Sequence, residues 1–186
     1  CLLGVGLGMA VVPHAKSALD LADRVEVAYA FSPSAARRAK FAEKFPFPQC
    51  ERLETILEDR SIDAVAVLTP PATHLDLVRK CAEAGKHVLL EKPLAMDPGQ
   101  GWDLVERAKQ AGRVLATGYQ ARYVPGHIEM KRLIADGAIG EVIAARTWYG
   151  IHRPGPPPEW RQNRDTAHRP GARAPRGPHP WCDGAA

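Results

Sequence analysis

The sequence predicts an α/β fold, a parallel sheet wound in both directions, and two observations carry that prediction. Short apolar runs alternate with helix-length segments as far as Gly118, the order that builds a parallel sheet with helices on both faces. One of those runs, Ile62–Leu68, is almost continuously apolar, the mark of a strand buried on both sides. Right-handed crossovers then limit the arrangement to a doubly wound sheet.

Taken in order, Cys1–Val5 reads as a strand end, Gly6-Leu7-Gly8-Met9 as a glycine turn, and Ala10 to Leu21 as a helix. Val25–Phe31 is a β-rich run behind the turn residues Asp23-Arg24. Ser32-Pro33 reads as an N-cap followed by proline at the first helical position, opening a helix to Phe45. Leu53–Leu57 is a short helix and Ile62–Leu68 a buried strand. Leu75–Ala84 is a helix stopped by Gly85. Val88–Leu90 is the next strand, Gly101–Ala111 a helix ending at Gly112, and Val114–Gly118 a last strand.

The rhythm changes at Gln120–Pro125. A helix, Ile128–Ala135, leads through Gly137 and Gly140 to an expected strand, Glu141–Trp148. After Ile151 no Val, Ile, Leu, Met, Phe or Tyr occurs in 35 residues, and 8 of the chain's 17 prolines fall there. Such a stretch buries too little apolar surface to offset its ordering entropy, so no regular structure is expected from His152 onward. The divisions are a wound domain at 1–121, the start of a second α/β domain at 122–151, and an irregular Pro/Arg-rich tail at 152–186.

Of the 186 residues, 25 are Lys or Arg and 21 Asp or Glu, a net charge of +4. Residues 151–186 contribute +3 of it. The body is nearly neutral, which argues against a nucleic-acid partner. The cysteines at 1, 50, 81 and 182 contain no C-x-x-C pair, so neither a metal site nor a redox pair is expected, and reduced thiols and a cytoplasmic location are. Cys1–Val12 is apolar but has no positive segment before it and three glycines within it. It is too short to span a bilayer. The expectation is no membrane partner and a first strand that has lost its opening residues.

A dinucleotide-binding turn needs a strand, then G-x-G-x-x-G, then a helix whose N-terminal N–H groups meet the pyrophosphate. Gly6-x-Gly8-x-x-Val11 fits the first two positions and puts Val11 where a small residue normally sits. The other register, Gly4-x-Gly6-x-x-Met9, misses too. Gly6, Gly8 and Met9 are the expected pyrophosphate contacts. The second strand ends at Phe31 and is followed by Ser32, with Arg37 and Arg38 one turn into the helix, instead of the acid that reads an NAD ribose. A hydroxyl and a guanidinium suit a 2′-phosphate, so the residues favour NADP over NAD.

Gly85-Lys86-His87-Val88-Leu89-Leu90-Glu91-Lys92-Pro93 delivers an ammonium to the end of a buried strand, and proline fixes the backbone just beyond it. Strand ends are where open α/β sheets bind ligands. A lysine there can shift its pKa and move protons. Unperturbed lysine, near 10.4, is a poor base at neutral pH. Burial and the positive ring of an oxidised nicotinamide would bring Lys92 toward the useful range. Of the histidines, His74 after its Thr-Pro-Pro turn is the best placed for the cofactor groove. His87 reads as structural, and His14 reads equally well as filler or as part of a site.

These segments resemble the Gfo/Idh/MocA-type oxidoreductases, the group that includes glucose–fructose oxidoreductase and inositol dehydrogenase. The resemblance rests on Gly6–Met9 with His14, on Thr69-Pro70-Pro71-Ala72-Thr73-His74, and on Ala84 through Ala95 with its Gly-Lys-His and Glu-Lys-Pro blocks. Gly118–Tyr123, which contains Gln120, and Ala138–Val142 extend it. It implies a Rossmann domain followed by a substrate and dimerisation domain with an open sheet. The implied chemistry is NAD(P)-linked oxidation or reduction of a sugar, polyol or related carbonyl compound, and the implied partners are that small molecule and, in the full-length form, a second copy of the chain. Thr69, Pro70 and His74 would line the nicotinamide end, with Gln120 also at the cofactor. Glu91 and Lys92 would face the reacting carbon, with a cis Lys92–Pro93 bond open to proline.

The departures are as informative. The family runs well over 300 residues and carries a Gly-Gly-Gly run and an Asp-x-x-x-His helix after a Trp-Arg pair. Trp160-Arg161 matches the pair, but the glycine run is missing and Pro175 stands where the Asp belongs. His179 is the nearest counterpart of the second catalytic residue, and Pro180 follows it. The shift to Arg, Pro, Ala, Gly and His resembles a GC-rich frame read out of register. The expectation is an incomplete copy whose tail leaves the true frame near Ala167. The alternative to an oxidoreductase is a dinucleotide-binding module without turnover.

Overall fold

A computed structural model describes residues 1–4 and 10–148. Its sheet has six strands, all parallel, in the order β3-β2-β1-β4-β5-β6. They are β1 (Leu2–Leu3), β2 (Ala30–Phe31), β3 (Gln49–Cys50), β4 (Ala64–Val67), β5 (His87–Leu90) and β6 (Leu115–Thr117). The helices are α1 (Val11–Asp20), α2 (Ala35–Ala42), α3 (Leu53–Glu58), α4 (His74–Glu83), α5 (Pro98–Gln110) and α6 (Pro125–Ala135). The strand order reverses at β1, between β2 and β4, as a doubly wound sheet requires.

Two apolar clusters hold this arrangement. Val65, Val67, Val88 and Leu90 meet Ile56, Val78, Cys81 and Leu104 in one. Leu2, Ala30 and Leu68 meet Val11, Ala15, Phe41 and Phe45 in the other. β4 lends Val65 and Val67 to the first and Ala66 to the rim of the second, so alternate side chains serve opposite faces. Phe41, Phe45 and Phe47 stack with ring centroids 4.9 to 6.3 Å apart.

Several elements depart from the sequence reading, each for a local reason. β2 is a ladder of two residues, not seven, because β1 and β3 each pair with it over two. β3, preceded by Pro46 and Pro48, is too short to show a period and sits at the edge where proline is tolerated. The cap of α2 is Ser34, whose hydroxyl accepts from Arg37 N–H, and not Ser32. α5 starts at Pro98 behind the Asp97 cap, and α6 at Pro125, each three residues earlier than expected. Residues 141–148 form no strand. No described backbone hydrogen bond reaches them, and a strand without a ladder is not stable in water.

Two polar residues of the Gly-Lys-His block are structural. Lys86 is buried, and its ammonium donates to the carbonyls of Asp59, the C-cap of α3, and of Ile62. That places a cation at the negative end of a helix. His87 Nδ1 accepts the Val114 N–H at 2.9 Å. Gly85 takes φ +71 after α4, so the chain reverses into β5 without a Cβ penalty. The expectations for the Gly6–Met9 turn, for the tail from His152 and for the frame change near Ala167 lie outside the described residues.

Candidate active site

The register brings the strand ends into one row. Phe31, Leu3, Val67, Leu90 and Thr117 are paired across the sheet. The next residue of each strand is therefore Ser32, Gly4, Leu68, Glu91 and Gly118. Backbone bonds from Gly4 to Phe31, Glu91 to Val67 and Gly118 to Leu90, of 2.7 to 2.9 Å, hold that row together. Thr69 and Pro70 continue from Leu68, Lys92 from Glu91, and Gln120 from Gly118. Ser32, Thr69, Pro70, Glu91, Lys92 and Gln120 thus fall along one carboxyl edge, which includes the switch in strand order where wound sheets bind ligands.

Gly4, which opens the second glycine register, occupies a position whose geometry demands glycine. It has φ +82, and a Cβ would lie 2.6 Å from Thr69 Cγ2 and 3.2 Å from the backbone at Leu68 and Thr69. The first strand therefore passes directly against the Thr69 turn. Thr73 Oγ1 closes that turn, 2.6 Å from Thr69 Oγ1 and 2.8 Å from the Pro70 carbonyl.

Glu91 is the centre of the polar network. Its Oε1 accepts from His14 Nε2 at 2.9 Å, and its Oε2 from the Lys92 N–H at 3.0 Å. Burial pushes the Glu91 carboxyl up, but the His14 bond, the Lys92 N–H and the charges of both residues outweigh it and hold the group below the usual carboxylate range. His14 lies at the end of the first turn of α1, so this bond ties the helix that follows the glycine turn to the end of β5.

Lys92 is exposed, and its ammonium has no ion-pair partner among the described residues. The expected burial of Lys92 is thus not supplied by them, and Glu91 pairs with His14 instead. The Lys92–Pro93 bond is cis. His74 also differs from expectation. It is fully buried, with Nδ1 3.0 Å from the Pro93 carbonyl oxygen and Nε2 3.1 Å from the Thr69 carbonyl oxygen. Each ring nitrogen faces a backbone carbonyl inside the protein, so neither is open to a ligand.

At the other end of the row Ser32 is 1% exposed. Its hydroxyl accepts the Ser34 N–H at 3.3 Å and keeps its own proton to donate. Arg38 folds back, donating to the Ser32 carbonyl at 2.7 Å and pairing with Glu51 at 3.1 Å. Arg37 is exposed and in no described ion pair. Pro70 and Gln120 are exposed. Gly6, Gly8, Met9 and His179 lie outside the described residues. Two cavities of about 270 and 260 Å³ open elsewhere, one at the amino ends of β4 and β5 beside Asp63 and His87, the other between α4 and α5. Neither touches the carboxyl edge. Among the described residues no cluster of His, Cys, Asp and Glu is arranged to hold a metal, and no helix is long and apolar enough to cross a membrane.

A family profile described as an oxidoreductase family with an NAD-binding Rossmann fold matches residues 3–119. The chain is 37% identical over 143 residues to a 1,5-anhydro-D-fructose reductase of Ensifer adhaerens, covering 76% of this chain and 43% of the relative. It is 32% identical over 127 residues to an NADP(+)-dependent scyllo-inositol 2-dehydrogenase of Bacillus subtilis, covering 67% and 36%. Among solved structures, the WlbA dehydrogenase of Chromobacterium violaceum, in complex with NADH and UDP-GlcNAcA, superposes with a TM-score of 0.68 at 27% identity, covering 75% of this chain and 40% of that one. The chain spans about two fifths of the length of these relatives.

Proposed function

Since the chain belongs to the Gfo/Idh/MocA oxidoreductase family, whose NAD-binding Rossmann fold it carries, we propose that its described residues form the cofactor-binding part of an enzyme that moves hydride between NAD(P) and a sugar, polyol or related carbonyl compound. The observation that supports this reading best is the row of strand ends that gathers Ser32, Gly4, the Thr69 turn and the Glu91-Lys92-Pro93 segment on one edge.

The residues present fit a dinucleotide. Gly4 lets backbone pass where a side chain would intrude. A bound nicotinamide supplies the hydride acceptor or donor. Lys92 holds the proton that must leave or reach the substrate oxygen, and its ammonium polarises that oxygen. Such assistance is worth roughly 10²- to 10⁴-fold. Glu91, its two oxygens engaged by His14 and by the Lys92 N–H, orients the segment and takes no proton in the step.

At the adenosine end we favour NADP. The Ser32 hydroxyl and the unpaired Arg37 guanidinium offer donors to a 2′-phosphate, while Arg38 is committed to Ser32 and Glu51. Arg37→Ala is expected to weaken NADPH about tenfold or more and NADH within about twofold. Equal losses would assign Arg37 to the solvated face of α2.

The test of the chemistry is Lys92→Met in a full-length relative. Turnover is expected to vanish while cofactor affinity stays within a few-fold, and surviving turnover would remove Lys92 from its role. In this chain, NADPH binding without turnover on a polyol panel would favour a binding module. The exposed Lys92, whose ammonium is in no hydrogen bond or ion pair among the described residues, is the observation on that side.

A further inference from the structure

We infer that His14 and His74 are a pair of positioning residues that fix the Lys92 peptide from its two sides, an inference that rests on the role given to Lys92 above. The Lys92 side chain makes no described hydrogen bond or ion pair. The backbone of residues 91–93 therefore sets only the point from which that flexible side chain reaches out. On the amino side, His14 Nε2 donates to Glu91 Oε1 at 2.9 Å, and Glu91 Oε2 accepts the Lys92 N–H at 3.0 Å. The imidazole thus holds the carboxylate that holds the amide.

On the carboxyl side Pro93 has no N–H, so its carbonyl is the handle that remains. His74 Nδ1 lies 3.0 Å from that oxygen, and His74 Nε2 lies 3.1 Å from the Thr69 carbonyl oxygen. Both partners are acceptors. A neutral ring donates to one of them, and only a doubly protonated ring donates to both. With its proton on Nδ1 the fully buried ring donates to the Pro93 carbonyl and lies beside that of Thr69.

Neither link is needed to dock its helix. α1 is already anchored by Val11 and Ala15, and α4 by Val78, Cys81 and Ala82, all buried. What the two imidazoles add is a fixed loop. One comes from the helix that follows the glycine turn, the other from the helix that follows the Thr69 turn. They tie the Lys92 segment to α1 and to the Thr69 turn.

The experiment measures hydrogen exchange at the Lys92 amide and the emission of bound NADPH in wild type, His14→Leu, His14→Gln and His74→Phe, with Lys92→Met as reference. Loss of the donor in His14→Leu or His74→Phe is expected to speed Lys92 amide exchange about tenfold or more. The emission of the bound nicotinamide is expected to move in the direction seen for Lys92→Met, with the affinity for 2′-phospho-ADP-ribose within about twofold of wild type. His14→Gln keeps an N–H donor and is expected to restore both readouts. Should His74→Phe not fold, His74→Gln takes its place and is expected to fall between wild type and His14→Leu. Unchanged exchange in the folded His14→Leu protein would overturn the inference, as would wild-type emission there while Lys92→Met alters it. Failure of wild type to bind NADPH would overturn the functional reading, and the exchange measurement would still decide the clasp.

Discussion

At Glu91 burial and bonding act in opposite directions, and bonding wins. The folded carboxyl titrates below its ordinary value of 4.5, so its contribution to stability is complete above that pH. It is lost as pH falls through 4.5 and then through the lower folded value. Urea unfolding at pH 6 and pH 3.5 is expected to show wild type losing more stability than Glu91→Gln over that interval. Equal losses would mean that the His14–Glu91 bond does not favour the ionised form. Gly4 makes a second claim at the same scale. Alanine there would combine a left-handed backbone with a Cβ 2.6 Å from Thr69 Cγ2, a cost of about 2 kcal/mol or more. Gly4→Ala is expected to lower the unfolding free energy by that amount and to weaken NADPH, because the Thr69 turn must shift. A stable variant with unchanged affinity would show that the two segments do not meet as described.

Among the elements, capping carries the clearest prediction. Asp97 Oδ1 accepts the Gln100 N–H at 3.0 Å ahead of Pro98. Asp97→Ala is expected to cost about 1 kcal/mol by chemical denaturation, and a neutral result would assign the start of α5 to packing alone. Legibility in the sequence followed length and chemistry. α4 and β5 were readable because a glycine stop separates a long amphipathic helix from a strongly apolar run. β3 was not, because two residues carry no period. The Ser32-Pro33 pair imitates a cap, but the hydroxyl two residues later makes the bond, and Ser32 is left at the strand end where a ribose would lie. Lys92 was legible as a strand-end ammonium. Its two histidine supports were not, since His14 is 77 residues from Glu91 and His74 is 19 from Pro93. Only the fold brings them together, and a sequence pattern records no such contact.

For the molecule as a whole, the charge and the apolar surface point the same way. α6 buries none of its residues, and Ile128, Met130 and Ile134 on it are 53%, 54% and 40% exposed, with Ile143 at 92% just beyond. An apolar surface of this extent on a nearly neutral body favours self-association. Light scattering is expected to show mass rising with concentration, and Met130→Lys with Ile134→Lys is expected to abolish the rise without changing NADPH affinity. Concentration-independent mass in wild type would contradict this. We propose that one edge of the sheet receives the whole dinucleotide, with Lys92 at its nicotinamide end. An NADPH titration followed by amide chemical shifts tests it most directly. The amides of Gly4, Gly6, Gly8, Ser32, Thr69, Glu91, Lys92 and Gly118 are expected to move together along one saturating curve, while Asp63 and Arg113 at the opposite ends of the strands stay still. Shifts confined to the Asp63–Arg113 end, or none at saturating NADPH, would contradict it.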